Sequence, residues 1–408
     1  MKTDLASEFV DNPAAQQAAE LIRACVHCGF CTATCPTYQL LGDERDSPRG
    51  RIYLIQQMLE GQPVTRTTQQ HLDRCLTCRA CESTCPSGVQ YSHLLDIGRE
   101  LVEQRVPRPL QERYRRVALG QLLPRRTLFS AALALGRKFK PFLPPPLQRS
   151  IPDAVPLKSF AGGAHSRKLL LLDGCVQPAL SPNINVAARK LFAAVGIEAV
   201  ALPAAGCCGA VSHHLQQQAD ARAQMRHLID ACWPQIEAGV EAIVMTASGC
   251  GSTLKDYGFL LRDDNTYAAK ARRFAELVRD PLEVLEPHLA QLREQCRPLS
   301  ANKLVFQSPC SLQHGQKLPG RVEALLRALG LDLPPVADGH LCCGSAGTYS
   351  ILQPELAGRL KADKLAKLNA SAPTLILSAN IGCICHLQAE SPVPVLHWLE
   401  FVANQIPD

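Results

Sequence analysis

Cys25-Val26-His27-Cys28-Gly29-Phe30-Cys31-Thr32-Ala33-Thr34-Cys35-Pro36 and Cys75-Leu76-Thr77-Cys78-Arg79-Ala80-Cys81-Glu82-Ser83-Thr84-Cys85-Pro86 are one phrase written twice. Both read C-x2-C-x2-C-x3-C-P, the bacterial ligand run for [4Fe–4S] clusters. Three thiolates must reach three corners of a cube from one stretch of backbone, so they recur every third residue on a wrapping loop. The fourth cysteine lies beyond that cube's last corner and serves the other cluster in two-cluster ferredoxins. Carried onto this chain, Cys25, Cys28, Cys31 and Cys85 hold one cluster, and Cys75, Cys78, Cys81 and Cys35 the second. Disulfides or paired zinc sites are the competing readings. Zinc sites usually lack the middle third cysteine and the trailing proline.

Helix signals bracket both phrases. Asn12-Pro13 opens a helix through Ala24, and Ser47-Pro48 opens another in which Ile52, Ile55 and Leu59 recur at helical spacing. Leu94, Leu95, Ile97, Leu101 and Val102 suggest a third. These point to a helical ferredoxin module over residues 1–105.

Residues 106–166 form a Pro-rich connector, broken at Pro107, Pro109, Pro124, Pro141 and Pro144-Pro145-Pro146. Charge concentrates nearby: Arg99 to Arg149 hold twelve Lys/Arg and three Glu, while the whole chain has a net charge of only +6. The apolar and basic stretch Arg125–Lys140 reads either as a linker helix on its own protein or as a dock for an acidic partner or an anionic membrane face.

From Lys168 the pattern becomes strand–helix alternation, which implies a mainly parallel sheet. Strands are expected at Leu169–Leu172, Ile197–Leu202 and Ile243–Met245, with a helix over Asn185–Val195. The same order returns at Leu304–Phe306, Val322–Leu329 and Leu375–Leu377. Cys175, Cys207 and Cys208 recur as Cys310, Cys342 and Cys343, all at one spacing, and both pairs precede a glycine, Gly209 and Gly344. Cys250 recurs as Cys383, with Cys385 as the competing match. This is a duplication, with halves over 167–300 and 301–408. The fold class is therefore mixed: an N-terminal α-helical ferredoxin module plus a C-terminal duplicated α/β domain. The eight repeated cysteines are candidates to hold a further iron–sulfur cluster or a zinc ion. Glycine after each pair is expected to let backbone approach a metal or cofactor. Cys232 and Cys296 have no counterpart and read as structural. His314, His340, His386 and His397 lie near the second set and are weaker ligand candidates.

Nineteen cysteines without a recognisable signal peptide favour a reducing compartment and metal-bound thiolates. No apolar run reaches membrane-spanning length. Aromatic content of 5% argues against a base-stacking nucleic-acid surface. No G-x-G-x-x-G follows an expected strand, so a hydride-accepting cofactor belongs on another chain.

Two ferredoxin phrases followed by two Cys-Cys-Gly halves resemble the heterodisulfide-reductase-like family of iron–sulfur electron-transfer subunits. Its members serve anaerobic glycerol-3-phosphate dehydrogenase, lactate utilisation and glycolate oxidase. Ser47-Pro48-Arg49-Gly50-Arg51 and Cys342-Cys343-Gly344-Ser345-Ala346-Gly347 look most like the glycolate oxidase branch. That resemblance implies a peripheral complex on the cytoplasmic side of the inner membrane. Its flavin-binding partner subunits oxidise glycolate to glyoxylate, and this chain, not catalytic alone, passes the electrons to a quinone or other respiratory acceptor. The alternatives are a reductase acting at the Cys-Cys-Gly loops on a disulfide or quinone, or the equivalent subunit of a glycerol-3-phosphate or lactate dehydrogenase. The chain departs from the fullest family pattern: Thr253 and His386 stand where each half would end in C-x2-C, so neither half has a five-cysteine site.

Overall fold

The computed structural model describes residues 1–160, 162–297 and 303–407. The boundary expected between residues 300 and 301 lies outside the described residues. The chain forms two compact bodies, residues 1–116 with 340–364, and residues 117–339 with 365–408.

The first body is helical; among the described residues no strand precedes Arg167. Helix Pro13–Arg23 opens with proline at its first turn, and the Asn12 side chain accepts from Ala15 N at 3.1 Å. Ser47 caps Pro48–Leu59 in the same way, accepting from Gly50 N at 2.9 Å. The third long helix, Tyr91–Arg105, buries Leu94, Leu95, Ile97, Leu101 and Val102. Gly98 leaves room for the Ile55 side chain of the second helix: a Cβ there would stand 2.5 Å from Ile55 Cδ1.

The second body carries two parallel sheets. Strands β1 (Arg167–Leu172), β2 (Ile197–Ala201), β3 (Ile243–Met245) and β4 (Val278–Arg279) lie in the order β2-β1-β3-β4. Leu170 pairs with both Val200 and Ile243. Strands β5 (Leu304–Gln307), β6 (Leu375–Ser378) and β7 (Val395–His397) lie in the order β5-β6-β7. Leu169–Leu172 and Leu304–Gln307 are buried throughout, as strands covered on both faces must be. Among the described residues the second half has no counterpart of β2. The equivalent segment holds Pro334-Pro335, which supplies no ladder donors. Within this body the halves are joined by Ser248 Oγ and Ser311 Oγ at 2.8 Å, and by Gln316 Nε2 donating to Ser248 O and Asp280 Oδ2.

The connector is more ordered than its prolines suggest. It holds helices Leu110–Leu122, Arg126–Phe139 and Pro145–Ser150, with the prolines near their ends. Much of the basic excess at its start is neutralised: Arg108 pairs with Asp73, Glu103 and Glu112, and Arg116 with Asp73 and Glu112. Among the described residues no helix is long and apolar enough to cross a membrane.

Candidate metal centres

The two phrases adopt one backbone. The residue two after the first cysteine is left-handed in each, His27 at φ 56° and Thr77 at φ 51°. So is the residue two further on, Gly29 at 84° and Arg79 at 62°. Each phrase thereby doubles back and enters a short helical turn, Phe30–Thr32 or Ala80–Thr84. Arg79 tolerates its strained conformation while paired with Glu82 at 2.8 Å.

Cys25, Cys28, Cys31, Cys81 and Cys85 line one cavity. Cys81 in turn lies in the electrostatic field of Cys78, Cys75 and Cys35. Cys85 thus lines the same cavity as the first phrase, and Cys35 lies in the field of thiols from both phrases. None of the eight is in a disulfide. Burial pushes the Cys31 thiol up to about 11, and neighbouring thiols add to it. Burial pushes Cys81 up further. Packed, dehydrated thiols of this kind ionise when a soft cationic group replaces their protons, so the donor set fits an iron–sulfur cluster.

The surroundings of Cys35 and Cys75 were not anticipated from sequence. Cys35 Sγ lies 3.3 Å from Thr37 Oγ1, and Thr77 N donates to Cys75 Sγ at 3.4 Å. Tyr91 Oη stands 3.8 Å from Cys75 Sγ. Fully buried Arg51 donates from Nη2 to Thr37 Oγ1 at 3.2 Å and from Nε to His71 O at 2.7 Å. Asp46, also fully buried, receives Arg51 at 3.4 Å, His71 Nδ1 at 3.0 Å and Arg74 at 3.0 Å. Burial opposes the Arg51 charge, but the fields of Cys75, Tyr91, Cys35 and Asp46 outweigh it and raise its pKa. Arg99 donates to Leu72 O and Cys75 O. The available signal was the phrase from Ser47 to Arg51, whose final arginine sits inside an apolar helix pattern without an obvious solvent face.

In the duplicated domain, Cys175, Cys207-Cys208 and Cys250 follow β1, β2 and β3, at the carboxyl edge where parallel sheets place ligands. Cys175 and Cys207 Sγ atoms are 3.7 Å apart, and Gly209 N donates to Cys207 Sγ at 3.4 Å. Hydrogen bonds from Cys175 and Cys208 pull the Cys207 thiol well down. Hydrogen bonding to Cys207 and Cys250, with burial, pushes Cys208 well up. The four sulfurs are therefore linked as a chain of neighbours, Cys175 to Cys207, Cys207 to Cys208 and Cys208 to Cys250. Tyr257 Oη braces the loop by donating to Cys208 O at 2.8 Å.

The second set is placed differently. Cys310 follows β5, and Cys383 is the third residue of helix Ile381–Gln388, as Cys250 is of Ser248–Lys255. Asn380 Nδ2 donates to Cys383 Sγ at 3.5 Å. Cys342 and Cys343 belong to the first body, on the 340–364 segment, whereas Cys310 and Cys383 belong to the second. Gly344 N donates to Cys342 Sγ at 3.4 Å, repeating the Gly209 contact. Tyr349 Oη donates to Arg74 O at 3.1 Å, tying this loop to the residue before Cys75.

The glycines act otherwise than expected. Gly209 and Gly344 are left-handed, at 82° and 89°, and their α-carbons face helix backbone: a Cβ would meet Ala221 O at 3.0 Å and Ala357 O at 2.7 Å. They allow the loop to pack on a helix. His397 has both ring nitrogens engaged, Nε2 to Thr246 O and Nδ1 accepting from Leu399 N, so it caps a helix instead of offering a metal a lone pair. His314 is buried and His340 and His386 half-buried. Cys232 and Cys385 are pushed up to about 12 and about 11 by burial alone, and Cys296 is raised by the same cause.

Comparison with known proteins follows these features along the chain. Residues 21–89 match the 4Fe-4S dicluster domain, and residues 169–255 and 304–388 each match the cysteine-rich domain. The chain is 51% identical over 407 residues to the glycolate oxidase iron-sulfur subunit of Escherichia coli, covering 100% of this chain and 99% of that protein. It is 29% identical over 395 residues to a probable glycolate oxidase iron-sulfur subunit of Bacillus subtilis, covering 89% and 88%. Lactate utilization protein A of Bacillus licheniformis is 23% identical over 247 residues, covering 58% of this chain and all of that protein.

Proposed function

Since this chain belongs to the family of glycolate oxidase iron–sulfur subunits, we propose that it is the electron-transfer subunit of a multi-subunit glycolate oxidase. Flavin-binding partner subunits oxidise glycolate to glyoxylate, and this chain conveys the electrons toward a quinone or other respiratory acceptor. It associates peripherally with the cytoplasmic side of the inner membrane and turns over no substrate by itself. The observation that supports this reading is the cavity shared by both phrases, lined by Cys25, Cys28 and Cys31 from the first and Cys81 and Cys85 from the second.

Cys25, Cys28, Cys31 and Cys85 would hold one [4Fe–4S] cluster, and Cys75, Cys78, Cys81 and Cys35 the other. Bound there, such clusters supply one-electron transfer near neutral pH without proton chemistry of their own. The chain's residues do the rest. The left-handed pairs at His27/Gly29 and Thr77/Arg79 turn the thiols inward. Thr77 N and the Tyr91 hydroxyl direct partial positive charge at Cys75. Arg51 and Arg99 set buried cations beside the second sulfur set. Cys175, Cys207, Cys208 and Cys250 would hold a further iron–sulfur cluster or a zinc ion, and Cys310, Cys342, Cys343 and Cys383 are the homologous set.

The test is reconstitution. Purified anaerobically alone, the chain should show no glycolate-dependent dye reduction. With its co-purifying flavoprotein it should restore electron delivery to a quinone. Glycolate turnover by the isolated chain would contradict the assignment. A Cys207→Ser variant that keeps all its iron and zinc but loses quinone reduction would favour catalysis at the Cys-Cys-Gly loops.

A further inference from the structure

Helix Arg126–Phe139 is amphipathic, and its apolar face points outward. Leu128, Ala131, Ala132, Leu135 and Phe139 recur at helical spacing, and all are exposed. Phe142 extends the stripe on the following turn, Lys140–Phe142. Leu135 is 59% exposed and Phe142 84%. No residue of this helix is buried. Its other side is anchored: Arg137 donates to Pro152 O, Asp153 O and Ala179 O, Arg126 pairs with Asp173, and Lys140 with Asp153. The stripe is therefore held outward by fixed polar contacts on the opposite side.

Charge decides what covers it. From Arg125 to Pro152 the sequence has six Lys/Arg and no Asp or Glu. Arg125 and Lys138 flank the stripe and make no ion pair among the described residues. Protein interfaces are depleted of lysine at their centres and match charge with countercharge. A laterally fluid anionic surface accepts an apolar stripe edged with cations wherever it lands. At fourteen residues the helix is too short to span a bilayer and would lie along it.

We propose that the face formed by Leu128, Leu135, Phe139 and Phe142, edged by Arg125 and Lys138, inserts into the interface of an anionic lipid membrane. This rests on the peripheral-membrane reading above and assigns the contact to this chain itself.

The test is vesicle flotation of the full, cluster-loaded chain. Vesicles of phosphatidylcholine with one quarter phosphatidylglycerol should carry the protein up, and pure phosphatidylcholine vesicles should carry at least tenfold less. Raising salt should weaken the association. A Leu135→Gln/Phe139→Gln/Phe142→Gln variant should lose at least tenfold while keeping the wild-type iron content and circular dichroism. As a check independent of that variant's folding, Phe142→Trp should shift its emission to the blue only with anionic vesicles. Equal or absent binding to both lipids by the isolated chain overturns the proposal, as does an unchanged Trp spectrum. If the complete complex floats and the isolated chain does not, the membrane contact belongs to a partner and only this proposal fails. If the triple variant floats normally but no longer holds its flavoprotein, the face is a protein interface and the proposal is again wrong.

Discussion

At the first cysteine phrase Val26 and Phe30 stand 67% and 59% exposed, whereas at the second the matching Leu76 and Ala80 are buried. Cys28 is exposed and Cys78 half-buried. The sets as crossed differ in the same sense: Cys35 and Cys81 are both buried, while of Cys25, Cys28, Cys31 and Cys85 only Cys25 is. Both phrases share their left-handed positions, so that feature of the backbone is duplicated and the environment is not. Arg51, Arg99, Thr37 and Tyr91 all gather at the second set. Buried cations and hydrogen bonds to sulfur raise a cluster's potential. The first set is built to be approached and the second to hold charge.

The largest effect that would break this comparison comes from the ligands. Cys28→Ser should remove about half of roughly eight irons and leave the protein folded, since the site is at the surface. Cys81→Ser should remove the other half and also lower the thermal midpoint of the first body. Iron analysis and circular dichroism read both, and equal thermal behaviour of the two variants would remove the distinction.

Next comes the backbone beneath the arginine network. Gly50 lies where a Cβ would meet Glu44 O at 1.9 Å. Gly50→Ala should destabilise by about 1–3 kcal/mol, as overpacking does. The opposite-facing Gly42, left-handed with nothing within 4 Å of a Cβ, should cost less on substitution. Chemical denaturation compares them.

How far the fold was legible follows from where its signals are local. The helices after Asn12-Pro13 and Ser47-Pro48 were readable because cap and first-turn proline are neighbours in sequence. The strand at Ile243–Met245 was readable because a short apolar run ended just before Ser248-Gly249-Cys250. The duplicated cysteines gave the two halves directly. Arg51 was not readable, because its partners Thr37, Asp46 and His71 come from three separate segments. The lack of a β2 counterpart among the described residues of the second half was written in Pro334-Pro335, although the cysteine spacing is kept. The roles of Gly209 and Gly344 were half legible: a special backbone was expected, but the helix carbonyls that enforce it are remote in sequence.

A smaller effect sharpens the contrast of potentials. The Thr37 hydroxyl donates to Asp46 O at 3.0 Å and lies 3.3 Å from Cys35 Sγ; with a ligating, deprotonated Cys35 it can turn its one proton to the sulfur instead. Thr37→Val should lower the midpoint of the second cluster by roughly one hydrogen bond's worth, about 1 kcal/mol, which is ~40 mV for a one-electron couple. Thr37→Ser should restore it. Redox titration followed by EPR makes the measurement, and no shift for Thr37→Val would assign Thr37 to packing.

A further effect lies away from the clusters and serves as a baseline. Burial pulls the His397 imidazole down to about 4. The unfolded chain binds that proton at higher pH, so the stability it contributes is complete above the unfolded value of about 6.5 and is lost as pH falls toward 4, at most about 1.4 kcal/mol per pH unit. His397→Asn should flatten that slope in denaturation curves between pH 7 and 5.

The central claim is tested most directly by low-temperature EPR of the anaerobically purified chain, reduced with dithionite and paired with iron analysis. The account predicts about eight irons in the wild type, with two reduced cluster signals that split by mutual coupling. Replacing Cys85 by Ser should remove the signal of the set containing Cys25, although Cys85 lies in the other phrase. Loss instead of the signal belonging to Cys75, Cys78 and Cys81, or a colourless protein without iron, would contradict it.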